Sequence, residues 1–140
     1  MIKDLLLVGA GEMSSHYAKV LNALNISFEV IGRGKKSAKK FENSINKPVI
    51  TGGINNYLKN QKSSIPKTAI VAVGIEKLGK TTEKLIENGV TNILVEKPAG
   101  LNFNQIEKVV RKAKENKSNV FVAYNRRYYS SVIEAKKIIK

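Results

Sequence analysis

Two glycines near the amino terminus, Gly9 and Gly11, have the spacing of a turn that can hold a phosphate group. They follow the apolar run Leu5 to Val8, which predicts a buried strand, and they precede a stretch with helical periodicity. A strand that ends in such a turn brings bare backbone against a pyrophosphate, and the amides of the following helix point at its charge. Ser14 takes the third position of this G-x-G-x-x-G pattern and is small enough for close packing of helix on strand. The pattern predicts a dinucleotide-binding turn, and a purely structural turn is the alternative.

A cluster of basic residues follows the next predicted strand, Ile26 to Ile31. Proteins that bind NAD place an acidic residue about 20 residues beyond the glycine turn, where it accepts hydrogen bonds from the ribose. This chain instead has Gly32-Arg33-Gly34-Lys35-Lys36-Ser37 there, and Arg33, Lys36 and Ser37 can donate hydrogen bonds to a 2′-phosphate. We therefore expect NADP(H) to be preferred over NAD(H). The alternative is a solvated helix start, since lysine is abundant throughout the chain.

A third candidate group, Glu96-Lys97-Pro98, follows the predicted strand Asn92 to Val95. Proline fixes the backbone next to Lys97, so the ammonium group is held at a strand end. There it can form a hydrogen bond with a developing alkoxide or carbonyl oxygen, as an acid or base catalyst does. We expect Lys97 to be catalytic, and the alternative is an ordinary surface lysine.

Hydrophobic periodicity indicates which elements position these groups. Apolar runs alternate with helical spacing, which predicts an α/β protein with a Rossmann-like, doubly wound parallel sheet of six strands in the order 3-2-1-4-5-6, with helices on both faces. Ligands bind such sheets outside the carboxyl ends of the strands, where the strand order reverses. The residues that we expect to contact a cofactor at this edge are Gly9, Gly11, Glu12, Met13, Arg33, Lys36, Ser37, Gly74, Glu96, Lys97 and Arg127.

The spacing of apolar residues also predicts which faces of two helices are buried. In the first helix we expect the sheet-facing residues to be Met13, Tyr17, Val20, Leu21 and Leu24, and we expect His16 to be solvated. In the helix that Asn102 and Gln105 cap, we expect the buried residues to be Phe103, Ile106, Val110 and Ala113.

Taken together, these motifs resemble the glucose-fructose oxidoreductase, inositol dehydrogenase and rhizopine-catabolism (Gfo/Idh/MocA) family. The resemblance rests on the V-G-A-G-E-M turn, the strand Ala69 to Gly74, the E-K-P segment and the run Tyr124 to Tyr128, and it covers essentially the whole chain. It implies a two-domain NAD(P)-dependent oxidoreductase acting on sugars, cyclitols and related compounds, with residues 1–140 as the NAD(P)-binding domain. It further implies that Lys97 contacts the reacting hydroxyl, that Glu96 positions the ring side of the cofactor, and that Arg127 lies at the cofactor crevice.

Composition restricts the other classes of function. The formal charge of +14 suggests nucleic-acid binding, but the lysines are scattered over nearly every helix, so we interpret most as solvated and do not expect a nucleic-acid partner. With no cysteine and one histidine, we expect no metal site. The sequence has no apolar run that would span a membrane and leads directly into its first strand, so we expect a cytoplasmic protein.

The resemblance also implies a second, largely β-sheet domain, which carries substrate-binding residues in the family and often builds the oligomer. The last predicted helix, from Ser131 to Lys140, lacks a glycine, asparagine or proline stop signal, so we expect a fragment or truncated product of a longer oxidoreductase. A small-molecule substrate and a homo-oligomer are expectations for the full-length protein only. Two alternatives stay open: a non-catalytic NADP-binding sensor or partner subunit, and a basic nucleic-acid-binding domain.

Overall fold

Six strands alternate with six helices along residues 3–60 and 65–139, which the computed structural model describes. The strands are β1 (Leu5–Val8), β2 (Phe28–Ile31), β3 (Val49–Ile50), β4 (Thr68–Val71), β5 (Asn92–Val95) and β6 (Asn119–Val122). The helices are α1 (Glu12–Ala23), α2 (Lys35–Ile45), α3 (Gly53–Asn60), α4 (Leu78–Glu87), α5 (Phe103–Glu115) and α6 (Ser130–Ile138), and short 3-10 helices, Ile75–Lys77 and Asn125–Tyr128, precede α4 and α6. Within the described ranges, no helix has the length and apolar character needed to cross a membrane.

All six strands are parallel and form one sheet in the order β3-β2-β1-β4-β5-β6, as the sequence predicts. β1 pairs with both β2 and β4, so the strand order reverses beside β1. The register aligns Val8, Val71, Val95 and Val122 across four neighbouring strands. Because each of these valines ends its strand, the loops that follow begin side by side along one edge of the sheet. The predicted fold class is confirmed, and the fold brings the candidate groups to this edge.

Each face of the sheet has its own hydrophobic core. On one face, α1 and α2 cover Leu7 and Phe28, with Phe41 of α2 buried against them. On the other face, α3, α4 and α5 cover Leu6, and Leu78 and Leu85 of α4 are fully buried. Burying one such side chain contributes about 1.5–3 kcal/mol, which is why strands covered on both faces have continuous apolar sequences.

The predicted buried face of α1 is wrong in part. Leu21 is buried as expected, but Met13, Val20 and Leu24 are exposed by 42, 56 and 62%. Tyr17 packs partly buried against the same core, and the small residues Ser14 and Ala18, both fully buried, also meet the sheet. Close approach of α1 to the end of β1 requires small side chains on the contact face, and this contact rotates the larger apolar residues outward.

In α5 the predicted cap is confirmed, and the predicted buried face is wrong in part, since Ala113 packs partly buried against the core as expected. The backbone amide of Gln105 donates to Asn102 Oδ1 over 3.1 Å. Val109 is buried, whereas Phe103 and Val110 are exposed by 74 and 46%, because α5 packs against α4 on one side and lies near the β6 edge of the sheet on the other.

Lys112 of α5 is an exception to the prediction that most helix lysines are solvated. It is 24% exposed, and it pairs with Glu83 and Glu87 of α4. The side-chain hydrogen bond with Glu87 raises the pKa of Lys112. These ion pairs link α5 to α4.

Candidate functional site

The turn after β1 requires glycine at its first position. Gly9 has φ of +128°, and a Cβ atom there would lie 2.1 Å from the carbonyl oxygen of Ala72 and 2.7 Å from Ser14 Oγ. The Ser14 hydroxyl in turn donates to the Ala72 carbonyl over 3.3 Å. Glycine at position 9 and a small residue at position 14 therefore let the start of α1 pack directly on the ends of β1 and β4.

Gly11 differs from Gly9 because the space beside it is open. A Cβ atom at Gly11 would meet no atom of the described residues within 4 Å, and its φ of −100° is accessible to any residue. Gly11 is the N-cap of α1, and no side chain caps the first-turn amides there in the described structure. Free amides at a helix start, next to bare backbone, form a site that fits a pyrophosphate. Glu12 and Met13 are exposed in the same turn.

A crevice of about 310 Å³ opens beside this turn, between the loops that follow β2, β3 and β4. Its floor is apolar and includes Val8, Ile31, Ile54 and Val73. Arg33, which follows β2, lies at its rim, and a Cβ atom added to Gly53 would be 3.8 Å from Arg33 Cγ. An apolar floor with a charged rim suits a planar base attached to a phosphorylated sugar.

The other two predicted phosphate ligands do not line this crevice. Ser37 donates its hydroxyl hydrogen to the Gly34 carbonyl over 3.0 Å and lines a neighbouring groove between α1 and α2, with Gly11 and His16. Lys36 is exposed on the first turn of α2. His16 is exposed, as expected. Of the three predicted ligands, Arg33 alone is placed at the crevice.

The end of β4 contributes an exposed glycine, Gly74. A Cβ atom there would lie 2.7 Å from the carboxylate oxygens of Glu76. Three lysines that follow Gly74, at positions 77, 80 and 84, also line the crevice. The sequence analysis interprets most helix lysines as solvated, and Lys80 is exposed. The spacing of i, i+3 and i+7 indicates that the three lysines lie on one side of the helical segment.

The Glu96-Lys97-Pro98 turn lies two strands from β1 along the same edge, which is about 10 Å at the usual strand spacing. The Glu96 amide donates to the Val71 carbonyl over 2.9 Å, and the Ala99 amide closes the turn on the Glu96 carbonyl at 2.9 Å. Lys97 is exposed at this turn. The backbone is thus fixed while the Lys97 side chain stays accessible to a ligand.

A hydrogen bond across the sheet edge orients Glu96. The hydroxyl of Tyr17, on α1, donates to Glu96 Oε1 over 2.6 Å, and Glu96 is half-buried. Burial of Tyr17, together with this hydrogen bond, raises the pKa of its phenol, so the phenol stays protonated as a donor. The sequence analysis assigned Tyr17 only to the core, because its partner is 79 residues away in the chain.

Arg127 lies in the 3-10 helix after β6, at the far end of the same edge. It is exposed, and its guanidinium carbon lies 5.9 Å from the centre of the Tyr128 ring. It is not among the residues that line the crevice next to Arg33. The expected cofactor ligands therefore divide into a group around β1, β2 and β4 and a group after β5 and β6.

Comparisons with known proteins agree with this architecture. Residues 3–124 match the family model described as an oxidoreductase family with an NAD-binding Rossmann fold, Gfo/Idh/MocA. No curated protein matches the chain.

Several solved structures share the fold at low sequence identity. One is the WlbA dehydrogenase from Bordetella pertussis in complex with NADH and UDP-GlcNAcA, with 16% identity, a TM-score of 0.81, and coverage of 96% of this chain and 41% of that chain. Another is a putative myo-inositol dehydrogenase from Sinorhizobium meliloti 1021, with 17% identity, a TM-score of 0.79, and coverage of 96 and 40%.

A third is a putative NADPH-dependent oxidoreductase from Desulfitobacterium hafniense DCB-2, with 16% identity, a TM-score of 0.80, and coverage of 96 and 38%. The chain thus spans about two fifths of the length of these three proteins. The family match covers most of the sequence, and the glycine turn and strand order agree with it. This chain belongs to the Gfo/Idh/MocA oxidoreductase family and forms its NAD-binding Rossmann domain.

Proposed function

We propose that this chain is the NADP(H)-binding domain of an oxidoreductase that acts on a sugar, a cyclitol or a related hydroxyl or carbonyl compound. The observation that carries the proposal is the open cradle at Gly11 next to a crevice with Arg33 at its rim. The first-turn amides of α1 would bind the pyrophosphate, and the apolar floor of the crevice would bind the adenine. Arg33 would bind the 2′-phosphate with charge-assisted hydrogen bonds.

The loop after β5 would serve the nicotinamide half. When bound, the nicotinamide supplies or accepts the hydride. Lys97 would donate a hydrogen bond to the substrate oxygen whose charge changes in that step, and Glu96, fixed by Tyr17, would orient the ring side of the cofactor. The exposure of Lys97 supports this role because a substrate must reach its ammonium group from outside the domain.

The choice of substrate class rests on relatives. The WlbA structure contains a nucleotide sugar acid, and another similar structure is named a putative inositol dehydrogenase. Both names indicate polyhydroxylated rings, the class that the E-K-P resemblance implies. These proteins are much longer than this chain, so the proposed activity belongs to a protein that also contains a substrate-binding domain.

The preference for NADP(H) is tested by measuring dissociation constants for NADPH and NADH with the purified chain. One or two charge-assisted hydrogen bonds, each contributing about 1.5–3 kcal/mol, predict at least about tenfold tighter binding of NADPH. Arg33→Ala should remove most of this difference, whereas Arg111→Ala, at an exposed position on α5, should not. Equal constants for the two cofactors in the unsubstituted chain would contradict the preference.

The role of Glu96 is tested through Tyr17, with Tyr57 as a matched control. The Tyr57 hydroxyl donates to Glu29 Oε2 over 2.7 Å, a contact similar to Tyr17 with Glu96. Replacing either tyrosine with phenylalanine should lower the free energy of unfolding by about 1–3 kcal/mol, because a half-buried carboxylate loses a donor.

Only Tyr17→Phe should also weaken NADPH binding, and it should leave ADP, which lacks the nicotinamide half, within about twofold of its original affinity. Calorimetric titration of both variants with both ligands checks this. Equal effects of the two substitutions on NADPH would mean that the Tyr17 contact is structural only.

A further inference from the structure

Three lysines on the α4 side of the crevice face the same space as Arg33. Lys77, Lys80 and Lys84 all line it, and no acidic residue is among the described residues that do so. The opposite side of α4, with Leu78 and Leu85, is buried in the core, so the lysine face is fixed toward the crevice. Four cationic side chains therefore surround a single apolar floor.

The three lysines differ in how strongly other groups engage them. Lys77 lies 4.0 Å from a carboxylate oxygen of Glu76, and Lys84 donates to Asn55 Oδ1. Among the described contacts, Lys80 has no ion pair and no side-chain hydrogen bond, and it is exposed at the crevice. Its ammonium group is the one best able to bind a ligand.

An apolar floor and a cationic wall recognise different parts of a ligand. Adenine is neutral and needs only the floor, and the pyrophosphate has its own site at the α1 amides. Grouping like charges around one crevice is unfavourable unless an anion occupies it. The cations on α4 thus indicate an additional anionic group on the adenosine itself.

The two walls are close enough to share that group. Arg33 follows β2 and the lysines follow β4, and the ends of these two strands stand about 10 Å apart on either side of β1 at the usual strand spacing. Arg33 and Lys80 line the same crevice of about 310 Å³. The side chains of arginine and lysine extend several ångströms from each wall. One phosphate between the walls can therefore accept hydrogen bonds from both.

We propose that Lys80 of α4 forms, with Arg33, a two-walled subsite for a phosphate on the adenosine ribose. The preference for a phosphorylated ribose then depends on two elements, the loop after β2 and α4. This inference rests on the proposed function, because it assigns a second residue to the same NADP(H) preference. The ligand class is adenosine phosphorylated on its ribose in addition to the 5′ position.

The test is calorimetric titration of the full chain with 2′,5′-ADP (adenosine 2′,5′-bisphosphate) and with 5′-AMP, which differ only in the 2′-phosphate on the ribose. The unsubstituted chain should bind 2′,5′-ADP at least about tenfold more tightly than 5′-AMP. Lys80→Ala should weaken 2′,5′-ADP binding about fivefold and leave 5′-AMP binding within about twofold. Added salt should shrink the difference in affinity between the two nucleotides. Lys108→Ala, which removes an exposed lysine from a separate groove on α5, is the matched control and should leave both ligands unchanged.

A double variant, Arg33→Ala with Lys80→Ala, should lose less than the sum of the two single effects, because one phosphate contacts both residues. Equal binding of the two nucleotides by the unsubstituted chain would overturn the NADP(H) proposal together with this inference. A preserved preference with Lys80→Ala behaving like Lys108→Ala would overturn this inference alone. The same would hold if Lys80→Ala weakened 5′-AMP and 2′,5′-ADP binding equally, since Lys80 would then not contact the ribose phosphate.

Discussion

Gly9→Ala is expected to destabilise the fold by at least about 3 kcal/mol, because the new Cβ overlaps backbone and the φ angle is strained for alanine. The overlap is severe, at 2.1 Å from the Ala72 carbonyl oxygen, and that oxygen is anchored because it accepts the Ser14 hydroxyl hydrogen. Chemical denaturation, followed by circular dichroism, measures the loss.

Gly11→Ala should have the opposite effect: a small loss of stability and a large loss of cofactor affinity. Its Cβ points into open space, so the cost to folding should be below about 1 kcal/mol, the cost of alanine at a helix N-cap. The same Cβ would occupy the proposed pyrophosphate cradle and should weaken NADPH binding by about 1–3 kcal/mol, which is about 5- to 150-fold in Kd.

Gly34→Ala provides the stability control for this pair. Gly34 is also a helix N-cap, with φ of −104°, and a Cβ there meets only Ser37 Oγ at 3.7 Å. Gly34→Ala should therefore lower the free energy of unfolding by about as much as Gly11→Ala does. Unchanged stability of Gly9→Ala would disprove the packing role of Gly9. Unchanged cofactor affinity of Gly11→Ala would disprove the role of Gly11 in the pyrophosphate cradle.

Lys97→Ala is expected to lower turnover by about 10²-fold or more in a protein that carries this domain and a substrate-binding domain, the range typical of a lost acid or base. Stability should change little because the Lys97 side chain is exposed. The dissociation constant for NADPH should stay within a few-fold, since the glycine turn and Arg33 supply most of the proposed binding.

Steady-state kinetics of Lys97→Ala and of Lys108→Ala separates loss of a catalytic group from a general charge effect. Lys108 lies on α5, in a groove separate from the crevice. Unchanged turnover would remove Lys97 from the chemistry. Unfolding of Lys97→Ala, or complete loss of cofactor binding, would instead make Lys97 structural, and the E-K-P resemblance would then support only the fold.

The sequence was sufficient for the sheet because the relevant signals are local. An unbroken apolar run such as Thr68 to Val73 predicts a strand buried on both faces, and glycines mark where it ends. The helix end before Gly89 could be predicted in the same way, because Gly89, with φ of +81°, takes the left-handed conformation that follows many helices. Parallel strands need right-handed crossovers, which leaves few sheet orders to choose from.

The site could be predicted only in part. The turn at Gly9 and Gly11 and the end of β5 lie along one edge of the sheet, as the sequence predicts, since residues after parallel strands meet there. The partners of those residues were not predictable. Tyr17 and Glu96 meet across 79 residues, and no local pattern encodes that contact.

The sequence by itself determined the order of the elements, the glycine turn and the basic end of β2, because each depends on neighbouring residues. Only the tertiary structure decided how the helices are rotated. Contact between Ser14 and the Gly9 turn leaves Met13 exposed, and burial of Leu78 and Leu85 directs Lys80 to the crevice. Apolar periodicity says that one side of a helix is buried, but close packing between distant segments selects which side, because interiors tolerate neither overlap nor voids.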